Sequence, residues 1–344
     1  MLRASEQSTN DTERSQRELS FDRAKHLMDS LMDNPKLLYV ICPFNIGDFL
    51  VNGGLCYALQ IKKRKTSCAL IVCDKFKISN IDFVGVAQIL YISQENMDVI
   101  REYILFSSVY ETERYIYGHF HVQNNQFDWN SELSFFDRYR ENVFGLPLET
   151  EILPPLIKDI SLEHKQKLHA LYQISNRTII LTPYANSGPQ LFSDDVWVEI
   201  TKRLRQQGYI VYTNVAGFKE LPVQGTKPIR LTFSELYYVA DKVKCFIGRR
   251  SGILDFLSFS DADILCVLYP DHWHDDLRSN FPDKKSYSFY FAGHYKEVIL
   301  EYARDKHIDD MDRIQISFPH VDASELYYEE GHLIDAIVNT AECL

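Results

Sequence analysis

Leu37 to Cys42 (LLYVIC) is apolar at every position. A strand with one face in water alternates apolar and polar residues, so an unbroken run implies burial on both faces, as in a parallel sheet covered by helices. Apolar runs of strand length return at Cys68–Cys73 and within Arg177–Thr182, Tyr209–Thr213, Lys244–Gly248 and Asp263–Tyr269. Helical spacing fills the intervals. Val51, Leu55, Ala58 and Leu59 fall at i, i+4, i+7 and i+8, and Val196, Trp197, Ile200 and Leu204 share a face after Ser193. Strand and helix in alternation read as an α/β fold with parallel sheets. The alternation starts twice, on either side of Pro154-Pro155.

The 344 residues are enough for two domains at roughly 150 residues each. Residues 1–35 read as a polar lead-in, with helical spacing in Ser20–Asp33 (Phe21, Ala24, Met28, Leu31). Residues 36–160 form the expected first domain and 161–320 the second. A helix over Ser324–Ala341, within 321–344, is expected to cross back to the first. Lys and Arg total 37 against 48 Asp and Glu, a net charge of −11. Such a surface repels phosphate backbones, so nucleic acid is not an expected partner. No apolar run approaches the ~18 residues of a membrane span, and Met1–Ser20 lacks the apolar stretch of a secretory signal. The seven cysteines are odd in number, match no zinc spacing and mostly lie in apolar runs, which fits a reducing cytoplasm.

In open parallel sheets ligands bind beyond the carboxyl ends of the strands. Three loops there carry chemistry. The first, Pro43-Phe44-Asn45-Ile46-Gly47-Asp48, puts a carboxylate at a helix start, where it serves either as helix N-cap or as a reactive group facing a cleft. The second, Thr182 to Gln190, is long and rich in small hydrogen-bonding residues, so it is a plain connection or a phosphate- and sugar-binding loop. Asp194 and Asp195 begin the helix after it and make that N-terminus a poor phosphate site. The third, Ile247-Gly248-Arg249-Arg250-Ser251-Gly252-Ile253-Leu254-Asp255, joins two guanidinium groups to a helix start. It reads as an anion site, with arginines paired to Asp255 or Asp261 as the alternative. His119-Phe-His121 and His272-Trp-His274-Asp275-Asp276 have too few ligands at recognisable spacing for a metal site. No dinucleotide or P-loop glycine pattern and no nucleophile elbow is present.

These residues resemble the heptosyltransferase-like family of GT-B-type glycosyltransferases, in its capsule and O-antigen range. The family opens with a strand, an [ST]-x-I-G-D turn and a helix; here the turn reads Asn45-Ile46-Gly47-Asp48, with Phe44 replacing the hydroxyl residue. A strand, a small-residue loop and a Trp-containing helix match Ile179–Ile200, and the later G-x-[DN]-[ST]-G-[LI] stretch corresponds to Arg250-Ser251-Gly252-Ile253. Gln190 stands where the family usually has lysine, Arg250 where it has an acid or amide, and Asp255 where it often has histidine.

The resemblance implies two Rossmann-like domains facing a central cleft, and a metal-independent hexosyl or heptosyl transferase of surface polysaccharide synthesis. Asp48 would be its general base, with Asn45 and Gly47 on the acceptor side. Asn186, Ser187, Gly188, Gln190, Arg249, Arg250, Ser251, Gly252 and Asp255 would hold the donor. Its partners would be a nucleotide-sugar donor, as co-substrate with no resident cofactor, and a glycan or glycolipid acceptor. The setting would be the cytoplasm, with peripheral contact at the inner membrane face. A non-catalytic binder of sugar nucleotides or glycans, or a sugar-nucleotide epimerase, is the alternative on the same fold.

Overall fold

The apolar runs do become strands, and β-strand residues 37–42, 68–73, 178–182 and 245–249 are buried throughout. The computed structural model describes residues 19–119, 135–185, 193–215, 217, 219–249, 251–268, 297–302, 321–327 and 330–343. The chain divides into one unit of Met1–Lys77, Phe83–Phe127 and Asp137–Leu153, and a second of Ile78–Asp82, Asp128–Phe136 and Pro154–Leu344.

In the first unit, β1 (Leu37–Cys42) is buried along its whole length. It pairs in parallel with β2 (Ser67–Cys73) and, on its other side, with β5 (Tyr115–Tyr117). β4 (Val86–Ile92) completes the order β4-β2-β1-β5, while the short β3 (Ile81–Asp82) lies in the second unit and pairs there with β6 (Leu156–Ile157). The polar lead-in ends in α1, residues 19–31, which buries Ala24 and Met28 as its spacing predicts. Arg114 ties it down through Asp29 at 2.8 Å. α2 (Ile46–Lys62) follows β1, and α3 (Gln94–Ser107) follows β4 with Ser93 accepting from the Asn96 amide as N-cap. The short α4 (Phe135–Arg138) continues as a π-type turn over Tyr139–Val143.

In the second unit, α5 (Leu162–Leu171) precedes a parallel sheet of order β13-β12-β11-β10-β7-β8-β9. Its strands are β7 (Thr178–Thr182), β8 (Ile210–Asn214), β9 (Lys227–Ile229), β10 (Cys245–Arg249), β11 (Ile264–Leu268), β12 (Glu297–Tyr302) and β13 (Val321–Tyr327). The core lies between Ile179, Leu181, Val211 and Ile247 of the sheet and two helices. One is α6 (Asp194–Gln206), through Trp197, Ile200 and Leu204; the other is α9 (Glu330–Cys343), through Leu333 and Ile337. Between them in sequence come α7 (Phe233–Val239), closed by a reciprocal Thr232–Glu235 capping box, and α8 (Gly252–Leu257). Residues 324–327, expected to be helical, are strand; the helix starts at Glu330 and packs into this core. Leu333, Ile337 and Val338 of this helix pack against α6 and the second sheet, which removes their surface from water.

Candidate functional site

Both strand orders contain a topological switch point, where the crossovers from adjacent strands leave in opposite directions and open a crevice at the carboxyl ends. In the first sheet it lies between β1 and β5, and in the second between β7 and β10.

At the first switch point β1 delivers Pro43 to Gly47 and then Asp48. Asp48 is not the cap that the spacing suggested. Asn45 occupies the N-cap position of α2 and makes no side-chain cap bond, while Asp48 is the third helical residue and is only 8% exposed. Its carboxylate accepts a hydrogen bond from the hydroxyl of Tyr139, a fully buried residue of the π-type turn. His119, reached two residues beyond the end of β5, brings Nε2 to 3.8 Å from the same carboxylate oxygen. The His119 ring packs on Phe44 at 4.2 Å between centroids, and Arg101 lies over the Phe44 ring at 5.9 Å. Asn52, one turn along α2, donates to the Asp48 carbonyl at 2.7 Å and to the Gly118 carbonyl at 3.0 Å, locking the end of β5 to the helix start. A buried carboxylate is costly to desolvate, and this one is met by a neutral hydroxyl beside an imidazole.

Burial first, and then the negative charge of Asp48, push the Cys42 thiol well above its ordinary value, against a smaller opposing effect of Asn52. It stays a neutral thiol and a poor nucleophile. Burial likewise raises the Tyr117 phenol, with Arg101 opposing.

At the second switch point the third loop differs from its reading in sequence. β10 runs on through Arg249, which is 7% exposed rather than projecting into a loop. Ser251 takes the N-cap position of α8, makes no side-chain cap bond and is buried, and Asp255, in the first turn, is buried as well. α8 has only six residues, so the helix start expected at this anion site carries a short dipole. Arg250, Asn186, Ser187, Gly188 and Gln190 lie outside the described residues, as do His121, His272 and His274. Among the described residues no group of three His, Cys, Asp or Glu side chains could hold a metal. No described helix is long and apolar enough to cross a membrane.

Sequence reasoning missed Tyr139 and took His119 only as half of a histidine pair. No local pattern links residues 48, 119 and 139; the order β4-β2-β1-β5 and the π-type turn join them. It took Thr182 only as the start of the second loop and passed over Asn214. These end β7 and β8 as buried polar side chains on strands that are otherwise mostly apolar.

Two solved structures share this arrangement of strands and helices. One is the glycosyl transferase family 9 protein of Veillonella parvula, at 12% identity and a TM-score of 0.52, over 77% of this chain and 85% of that one. The other is the ADP-heptose LPS heptosyltransferase II of E. coli, at 11% identity and a TM-score of 0.50, over 88% and 98%. The fold is GT-B. No protein-family model matches the chain, and no curated protein is similar to it in sequence. Asp48 and Ser251 each lie at the carboxyl edge of one of the two sheets.

Proposed function

We propose that this GT-B chain is a glycosyltransferase that moves a sugar from a nucleotide-sugar donor to a hydroxyl of a glycan or glycolipid acceptor, in surface polysaccharide synthesis and without a metal. The observation that carries the reading is the buried Asp48 carboxylate, bound by Tyr139 beside His119 at the first switch point. As the acceptor oxygen attacks the anomeric carbon, its proton passes to the Asp48 carboxylate. The anomeric carbon–oxygen bond to the diphosphate breaks, and its electron pair leaves with the nucleoside diphosphate. Tyr139 fixes the direction of the carboxylate, so no reorientation is needed during proton transfer. On the donor side, Arg249 and Arg250 supply positive charge for the departing diphosphate, with Ser251, Asn186, Ser187 and Gln190 as neutral contacts. A nucleotide-sugar donor is also what the E. coli neighbour's description names for that protein, as ADP-heptose.

The test is incubation with a panel of sugar nucleotides, followed by separation of the products. A transferase without its acceptor releases free sugar and nucleoside diphosphate slowly, and Asp48→Asn should slow that release. A new sugar nucleotide would identify an epimerase. Donor that binds and stays intact would identify a binding protein.

A further inference from the structure

The buried polar atoms of the second sheet hold more than the transfer reaction above uses. At the level where β7, β8 and β10 end, Gly248 is in register with Thr182, and Asn214 with Ile229 of β9. Leu181 pairs with Thr213, so Thr182 and Asn214 are neighbours one level on. In-register residues of parallel strands point to one face of the sheet. Right-handed crossovers put α6 on the opposite face and α8, with Ser251, on this one.

Asn214 is 2% exposed, and neither its Oδ1 nor its Nδ2 has a hydrogen-bond partner. Thr182 Oγ1 and Ser251 Oγ are buried and unpartnered as well. A buried carboxamide with both ends idle is rare in native proteins, because each unmatched group retains its desolvation cost. A strand chosen for stability alone would end in valine or leucine there. Gly248 adds a second observation. A Cβ at that position would fall on Thr182 Oγ1 and come within 2.5 Å of the Thr182 carbonyl oxygen. The glycine leaves the threonine hydroxyl in place where a larger residue would push it aside.

We infer that the Thr182–Asn214 row is a specificity site that takes an uncharged donor-and-acceptor group of the nucleotide-sugar, either the nucleoside or the hydroxyls of the sugar. This deepens the donor reading above and rests on it. The chemistry follows from the side chains. A carboxamide presents one donor and one acceptor side by side, with a hydroxyl adjacent, and none carries charge. That suits a nucleobase edge or vicinal hydroxyls, and suits a phosphate poorly. Thr182 and Asn214 are both 2% exposed in the ligand-free chain. Asn214 therefore acts in the bound complex and not in the first encounter.

The experiment uses Asn214→Leu and Thr182→Val, which keep side-chain shape and remove the polar atoms. Thermal melting of the full chain is combined with calorimetric titration of ADP, UDP, GDP, CDP and their glucose or heptose conjugates. With a ligand site, Asn214→Leu melts higher by about 2–4 °C, because an unmatched polar group has gone. It also weakens the nucleotide that binds the wild type by about tenfold or more. Weakening of the diphosphate itself places the nucleoside in the row; weakening of the conjugate alone places the sugar there. A variant that melts lower and binds as wild type would mean a structural role, such as holding an internal water, and would overturn the inference. If wild type binds no member of the panel, the donor reading fails and this inference with it. Should Asn214→Leu not fold, Thr182→Val decides by the same two readouts.

Discussion

The two switch points have the same topology and differ in how their buried polar groups are matched. At the carboxyl end of β1 a negative charge is buried and held, by Tyr139 on Asp48 with His119 beside it. At the second, Asn214, Thr182 and Ser251 are buried, neutral and without a hydrogen-bond partner, and the charged Arg249 and Asp255 are buried at the end of β10 and in the helix after it. A carboxylate already oriented suits proton transfer, which must work without reorganisation. An unmatched carboxamide suits recognition, where the missing hydrogen bonds arrive with the ligand. On the proposed reading, one crevice is preorganised for chemistry and the other is completed by its ligand.

The largest expected effect breaks the first half of this comparison. Asp48→Asn leaves helix entry intact, since Asn45 and not Asp48 stands at the N-cap. Turnover should fall roughly a hundredfold or more while donor affinity stays near wild type. Unchanged turnover would reduce Asp48 to a structural carboxylate. Gly248→Ala strikes the second half. The added methyl meets Thr182, and overpacking of this kind costs about 1–3 kcal/mol, readable as a lower urea midpoint. A full-stability alanine variant would show that the row has slack and that Thr182 is not held in place.

Tyr139→Phe sharpens the first region. It deletes the hydroxyl that donates to Asp48 and keeps the ring, so turnover should drop by about tenfold with donor affinity preserved. A loss confined to thermal stability would mean that the hydroxyl only satisfies the buried carboxylate. The smallest effect is a control outside both regions. Burial raises the Glu235 carboxyl, yet its bonds to His164 and to Thr232 outweigh that and hold it below its ordinary value of 4.5. A depressed carboxylate contributes stability that is present above that value and lost as the pH falls through the folded one. Acid melting curves of wild type and Glu235→Gln should therefore diverge above pH 4.5 and converge below it. Thr232→Ala should cost about 1 kcal/mol at neutral pH by loss of the cap. Nucleotide affinity should be unchanged in both variants; if it moved, the donor region would extend beyond the strand ends.

The parallel sheets were legible because LLYVIC and CALIVC are apolar at every position, and only burial on both faces explains that. α1 and α6 were legible through their apolar spacing, and Asp48 as a candidate through its place directly after a strand. Those are local properties, and a chain carries them wherever it folds. What Asp48 touches was not local: Tyr139 is 91 residues away, and it reaches the carboxylate through a π-type turn that no sequence period announces. The tertiary structure also turned the expected Arg249 loop into strand and ended α8 after six residues. Asn214 reads in sequence as the polar end of an apolar run, like many residues that meet water. Only the register of β8 between β7 and β9 buries it, and burial without a partner is what gives it meaning. The sequence determined which segments are strands and which faces are apolar, because those follow from the side chains one at a time. The tertiary structure decided which polar groups are matched, because a hydrogen bond belongs to a pair.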